Sequence, residues 1–288
     1  MKYRSVVANH VAGTPLGGMP LGKIRRAHIR AHEAELQKKG VGASTCSVVR
    51  AVLSRALGDA VEDDLISIDP TLGKRRSSER ATAAKFTVWT GVELRTLLEA
   101  AAGDRLEALW RLAVAAGARR GELLGATWLG FSTEQATLTI SQQVTPTRGG
   151  STIAAVKTKG SHRTIRLDPN TVAALEEHRE RQLAERDAAG DAYVDRDLIF
   201  ADELGGLVGP QRLTEAFGVL RKRSDIRPGR LHDVRHSHAT HLLTAGVPVH
   251  IVSARLGHSS PMVTLSVYAH VLPTGDETAA DVMAKVLG

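Results

Sequence analysis

A stretch rich in β-branched residues interrupts the mostly helical patterning of this 288-residue chain near its middle. Residues 136–145 read ATLTISQQVT, and β-branching predicts a strand there. Arg148-Gly149-Gly150 turns the chain, and short strands are expected near 152–157 and 163–167, making one small antiparallel sheet of three strands. Elsewhere the pattern predicts helices at 104–116, 119–127, 170–189, 211–224, 232–245, 248–256, 261–269 and 276–286. The fold class is therefore mainly α with a small antiparallel β-sheet (α+β).

The N-terminal part has its own organisation. Residues 21–39 have helical composition and end at Gly40, a C-cap. Ser44 or Thr45 is expected to cap a second helix through residue 66, with Val48, Val49, Val52, Leu53, Ala56 and Leu57 on one face. Asp69-Pro70 is expected to stop it. Residues 73–80, GKRRSSER, have no apolar period and mark a linker, resting along a partner or acting as a free tether. Thr90-Gly91-Val92-Glu93 is a capping box that opens a new domain. The expected division is a helical domain at 1–72, a basic linker at 73–89 and a larger domain at 90–288.

Charge follows this division. The net charge is +7, and residues 1–80 carry fourteen Lys and Arg against eight Asp and Glu. The rest carry 24 against 23, so the N-terminal quarter holds nearly all the excess. That suits a clamp on a phosphate backbone, while the charge alone leaves a merely soluble basic surface equally open. Lys23, Arg25, Arg26, Arg30, Arg50, Lys74, Arg75 and Arg76 are the candidate DNA contacts here, with Lys159 and Arg163 further on. A single cysteine, Cys46, excludes an internal disulfide framework and suits a reducing cytoplasm. The first residues lack the apolar run of a signal peptide, and the uncharged stretches 236–254 and 256–275 are broken by His, Ser, Thr, Pro and Gly. A soluble, cytoplasmic protein with no membrane partner is expected.

The chemistry-bearing residues are spaced in order along the larger domain. Tyrosine is scarce, with only Tyr3, Tyr193 and Tyr268. Tyr268 stands ten residues after Leu256-Gly257-His258, downstream of His232-Asp233-Val234-Arg235-His236 and Gly117-Ala118-Arg119-Arg120-Gly121-Glu122. One phenol, two arginines and two histidines are what phosphodiester transesterification without a metal requires: a nucleophile, fixed charge for the phosphate oxygens, and proton handling. Arg119 alone would serve equally as a surface ion-pair partner, with Glu122 at i+3 to orient it. His232 and Arg235 share a helix face, but His232, His236, His238 and His241 also crowd one helix as a metal site would. No cysteine lies near and no H-E-x-x-H pattern appears, so no metal and no cofactor are expected. His238 and His241 read as packing or surface residues. Residues 156–165, VKTKGSHRTI, form a basic hairpin in which Lys157 or Lys159 can protonate a leaving oxygen; spacing does not separate the two.

Taken together, A-G-A-R-R-G-E-L-L, K-T-K-x(3)-R-T-I, H-D-V-R-H-S-H-A-T, L-G-H-S-S and T-L-S-V-Y-A-H resemble the catalytic domain of the tyrosine recombinase family, closest in flavour to phage integrases. The match runs from about Thr90 to Pro273 with every box in order, and the residues up to Pro70 resemble that family's core-binding domain. The resemblance implies Tyr268 as nucleophile, forming a 3′-phosphotyrosine and freeing a 5′-hydroxyl. It implies Arg119 and Arg235 as clamps on the phosphorane, His258 as donor to a non-bridging oxygen, His232 as the aid to proton transfer from the tyrosine, and Lys157 as general acid.

The resemblance further implies double-stranded DNA attachment sites as partners. It implies a homotetramer on DNA from a free monomer, and a directionality or host DNA-bending factor. The last helix, 276–287, is the candidate for docking on a neighbouring subunit through Ala279, Ala280, Val282, Met283 and Val286. Two departures stand out. The chain begins inside the first core-binding helix, leaving no room for the arm-binding domain of many phage integrases; either only core sites are recognised or the sequence is a fragment. Gly130 stands where the family usually has Asp, which weakens a local contact. Two other readings remain: a type IB topoisomerase-like enzyme, and a DNA-binding regulator with a vestigial catalytic set.

Overall fold

The computed structural model describes residues 2–72, 86–156, 159–271 and 283–287. They fall into two compact units, Met1–Lys85 and Phe86–Gly288.

The first unit is helical. Helix α1 (Lys2–Val7) runs into a wide π-type turn at Ala8–Ala12, an element without a sequence expectation. Helix α2 (Arg26–Lys38) ends before Gly40, whose φ of 76° is the left-handed conformation a terminating glycine supplies. Helix α3 (Ala43–Glu62) starts on Gly42 with no side-chain cap, so Ser44 and Thr45 lie inside its first turn rather than before it. Its buried residues are Cys46, Val49, Leu57 and Ala60, with Leu53 partly covered. Val48 and Val52 are only half-buried and Ala56 is exposed, so the inward stripe is rotated from the expected one. The helix also stops well short of Pro70. Asp64 takes a φ of 56°, and the Leu65 N–H closes back on the Ala60 carbonyl at 2.8 Å, a Schellman-type end. Asp69 instead holds Thr71, accepting from its N–H at 2.8 Å.

The second unit begins earlier than residue 90. Trp89 is fully buried, donates from Nε1 to the Arg227 carbonyl at 2.9 Å, and its backbone N–H reaches Ser237 Oγ at 2.9 Å. Phe86 to Trp89 are thus part of this unit and not linker, because two large rings find apolar partners there; residues 73–85 lie outside the described residues. Helix α4 (Gly91–Ala100) opens with the expected capping box of Thr90 and Glu93. Helix α5 (Glu107–Ala116) buries Ala108, Leu109, Leu112, Ala113 and Ala116. It packs on α7 (Pro169–Ala189) and α9 (Leu231–Thr244), so its small residues let neighbouring helices approach closely.

The strands divide differently from expectation. Strand β2 (Thr137–Ile140) joins β1 (Phe131–Ser132) and β5 (Arg163–Arg166) in a three-stranded antiparallel sheet. Strand β3 (Gln142–Thr147) pairs with β4 (Gly150–Ala155) in a separate two-stranded sheet. One expected strand therefore serves two sheets, changing partner at Ser141. Helix α6 (Arg120–Leu124) lies so close to β3 that a β-carbon on Gly121 would sit 2.7 Å from the Val144 carbonyl oxygen. At Gly130 a β-carbon would meet the Thr139 carbonyl oxygen at 2.8 Å. The carboxylate beside this turn comes from Asp197, both of whose oxygens lie 3.2 Å from the Leu129 nitrogen.

Helix α8 (Pro210–Arg223) covers the main core, which is built on Trp89, Trp110, Leu112 and Phe217. Helices α10 (Val249–Leu256) and α11 (Pro261–Tyr268) close a smaller apolar cluster of Ala239, Leu243, Val252, Leu256 and Tyr268. Residues 283–287 are helical and exposed, while 276–282 of the expected last helix lie outside the described residues. Among the described residues no helix is long and apolar enough to cross a membrane.

Candidate active site

Two helix ends build the floor of the site. Gly117 ends α5 at a φ of 59° and Gly257 ends α10 at 67°, both left-handed, where a side chain is strained. Ending the helices this way leaves carbonyls that the site arginines use. Arg235 of α9 donates from Nη1 to the Gly117 carbonyl at 2.8 Å and from Nη2 to the Leu256 carbonyl at 2.7 Å. Arg119, the N-cap residue of α6, donates from Nη2 to the Gly257 carbonyl at 3.0 Å. Both guanidinium groups are thereby fixed in direction before any anion arrives.

Glu122 completes this frame, as its spacing from Arg119 suggested. Its Oε1 accepts from Arg119 Nη1 at 2.6 Å and its Oε2 accepts from Arg163 Nη2 at 2.8 Å. Burial alone would raise the Glu122 carboxyl; the bonds from Arg163 and Arg119 outweigh it and hold the group below its ordinary value. Arg235 is almost fully buried, and burial followed by the neighbouring Arg119 pulls it down to about 9, still cationic at neutral pH. A cavity beside α6, β3 and the start of α9 is lined by Arg119, Arg120, Arg230, His232 and Arg235. Its cationic lining suits an anion.

The histidines separate by environment. His258 follows the α10 glycine, and its Nδ1 lies 2.8 Å from the buried Thr264 hydroxyl. Burial, then Arg235 and Arg119, lowers His258 to about 4, so the ring is neutral at pH 7. If Thr264 donates, Nε2 carries the proton and serves as a donor. His232 opens onto the cavity, and partial desolvation by the protein around its ring, followed by Arg235, lowers its pKa. His238 and His241 are structural, bonded to the Val114 and Trp89 carbonyls at 2.9 and 2.8 Å. Among the described residues no three metal-ligating side chains gather.

Tyr268 is buried at the end of α11, and its hydroxyl lies 2.7 Å from His236 Nδ1. His232, the residue expected beside the phenol, instead meets His236 edge-on at 4.9 Å between ring centroids. Phe86 stacks on His236 at 4.1 Å and 12° and meets Tyr268 edge-on at 5.9 Å. Burial raises Tyr268 to about 12, with Arg235 opposing, and burial followed by His232 lowers His236 to about 4. Spacing in the sequence does not mark His236 as a partner of the phenol, because it follows Arg235 directly and its i, i+4 relation to His232 points only to a metal ligand. Nothing at Phe86 announced a role.

The DNA-contact candidates also sort. Lys23, Arg25, Arg26 and Arg30 are exposed, although Arg25 and Arg26 also bond the Gly22 and Leu72 carbonyls. Arg50 is half-buried, spent on Glu33 at 2.5 Å and on the Thr71 carbonyl. Arg163 points inward, with 7% of its side chain exposed, because Glu122 and the Arg255 and Ser161 carbonyls hold it. Arg163 is thus turned away from the surface, while Arg50 keeps 25% of its side chain exposed. Lys74, Arg75, Arg76 and Lys157 lie outside the described residues, as does the side chain of Lys159.

The chain as a whole has recognisable relatives. The model of the phage integrase family matches residues 88–274. The XerC-like tyrosine recombinase of Caldanaerobacter subterraneus subsp. tengcongensis is 28% identical over 299 aligned residues, covering 98% of this chain and 76% of its own length. The ICEBs1 integrase of Bacillus subtilis is 25% identical over 92% of this chain and 72% of its own. The Tn1549 transposon integrase, solved in complex with transposon right end DNA, shares the fold at a TM-score of 0.82 and 20% identity, covering 100% of this chain and 93% of that one. The chain belongs to the phage integrase family and is a tyrosine recombinase.

Proposed function

We propose that this site-specific recombinase cuts and rejoins attachment-site DNA through a covalent link to Tyr268. The observation that carries the reading is the pair of pre-aimed guanidinium groups, Arg119 and Arg235, set among the same helix ends that position His258. They would bind the non-bridging oxygens of one scissile phosphate, and fixed donors cost no reorganisation as charge grows on a phosphorane. Neutral His258 would donate to one of those oxygens. His232 would line the approach from the cavity. Tyr268 Oη attacks phosphorus, the P–O5′ bond breaks, and the leaving oxygen takes a proton from Lys157. The phosphotyrosine keeps the energy of the bond, so a second DNA 5′-hydroxyl can reverse the step without ATP or metal.

A tetramer assembled on two DNA sites from free monomers would let strands exchange in pairs. The structure of λ integrase as a tetramer bound to a Holliday junction supports that reading by likeness of fold alone. The C-terminal residues are the candidates for docking on a neighbour, and a host DNA-bending or directionality factor is the further partner. Integration and excision of a phage or other mobile element in a bacterial cytoplasm is the setting. The test is a nicked suicide duplex bearing the element's own attachment junction. A covalent protein–DNA adduct should form and should be absent in Tyr268→Phe. An adduct that persists in that variant would move the nucleophile elsewhere, and DNA relaxation without exchange would favour topoisomerase-like action.

A further inference from the structure

Resting on that recombinase reading, we infer that His236 is the group that takes the proton from Tyr268, a role its neighbour His232 does not fill. The geometry carries this. His236 Nδ1 is 2.7 Å from the Tyr268 hydroxyl, within reach of direct transfer. His232 is separated from that contact, since its ring abuts the edge of His236 rather than the phenol. It faces the arginine-lined cavity instead.

Phe86 fixes the acceptor. Its ring lies nearly parallel on His236, which leaves the imidazole little freedom to turn Nδ1 away from the phenol. The Phe86 edge also meets Tyr268, so one aromatic side chain positions both partners of the transfer. Phe86 is thus a positioning residue, acting through the other two rings.

The step balances as follows. The Oη–P bond forms as the phenolic proton passes to His236 Nδ1, giving an imidazolium. The P–O5′ bond breaks and the leaving oxygen takes its proton from the acid lysine. In the reverse direction His236 returns its proton to Tyr268.

The charges around His236 set when this happens. His232, Asp233, Arg235 and Arg230 face it from its own helix and the preceding turn, His258 from the loop after α10, and Tyr268 from α11; Phe86 brings no charge. In the free protein burial and the neighbouring cations keep His236 neutral and the phenol protonated, a state that accepts a proton but does not ionise the tyrosine early. The phosphate dianion-like transition state, bound at Arg119 and Arg235, adds the negative charge that favours an imidazolium.

The experiment is single-turnover adduct formation on the nicked suicide duplex, with wild type, His236→Asn and His236→Gln, across pH. Asparagine places an amide near the Nδ1 position, so it keeps a hydrogen-bond partner but cannot titrate. Both variants should lose roughly 100-fold or more in adduct formation, the usual range for a missing general base. The wild-type rate should fall on the acid side as His236 protonates, and that limb should vanish in the Asn variant. Mobility shift of the same duplex should be unchanged, which reports folding and DNA binding apart from chemistry. An Asn variant that cleaves within about threefold of wild type, with the wild-type pH limb, overturns the inference and leaves His236 a docking partner only. Adduct formation by wild type that survives in Tyr268→Phe instead overturns the assignment of Tyr268 as nucleophile on which the inference rests, so the two failures are told apart.

Discussion

Arg163 and Glu122, 41 residues apart in sequence, are joined at 2.8 Å with almost no exposed surface on either side chain. Through that carboxylate Arg163 sets the direction of Arg119, and through the Arg255 carbonyl it braces the end of α10, from which His258 follows.

Removing Arg163 should therefore cost both stability and chemistry. Arg163→Ala leaves Glu122 with one partner in a buried setting, a loss of about 3–5 kcal/mol for a broken buried pair. Arg163→Lys should recover only part of it, since an ammonium does not reproduce the fork to two carbonyls and a carboxylate. Urea unfolding of the three proteins checks this, and retained wild-type stability in Arg163→Ala would refute it. Glu122 adds a pH signature. Its folded pKa is depressed, so its contribution is fully present above the unfolded value and is lost as pH falls through the lower folded one.

The neutral histidines add a signature of the same sign at milder acid. His236, His238 and His258 are each lowered to about 4 from an ordinary 6.5. Between those values the unfolded chain binds protons that the folded one refuses, so stability falls as pH drops from 6.5 toward 4 and levels off below. His238, buried between the Val114 carbonyl and Arg255, should contribute on the order of 3 kcal/mol of the total loss across that window. Unfolding midpoints measured across this range should flatten in His238→Gln. An unchanged slope would place the titration elsewhere.

Gly117→Ala tests the helix-end carbonyls. Its φ of 59° disfavours a side chain, and the new β-carbon would lie 2.6 Å from His238 Cδ2. Left-handed strain alone costs about 1–2 kcal/mol, and the clash moves the carbonyl that aims Arg235. DNA-adduct formation should fall more than stability predicts. A variant that is destabilised yet cleaves at the wild-type rate when folded would separate Arg235 from this carbonyl.

Lys157 as acid predicts rescue by a better leaving group. A 5′-thio substitution at the scissile bond, which needs no proton to leave, should restore cleavage by Lys157→Ala. Rescue of Lys159→Ala instead would transfer the assignment.

Much of the site was legible because its residues sit at fixed spacings within single helices or just after them. Arg119 with Glu122, and His258 with the Pro261 helix start, are local relationships that helix geometry imposes. The mainly helical class followed from apolar periodicity for the same reason. The break in residues 136–145 was not legible, because β-branched residues favour extended backbone on either side of Ser141 and say nothing of which strand pairs with which.

The sequence by itself determined the set of candidate reactive side chains, their order, and most of the helices that carry them, since these depend on contacts within a few residues. Tertiary structure alone decided which of them touch. Arg163 became an internal brace because Glu122 faces it across the fold, and His236 became the partner of Tyr268 because α11 lays its last residue against α9. Helix periodicity specifies which way a side chain leaves its own axis. Only the packing of a second element settles what it meets.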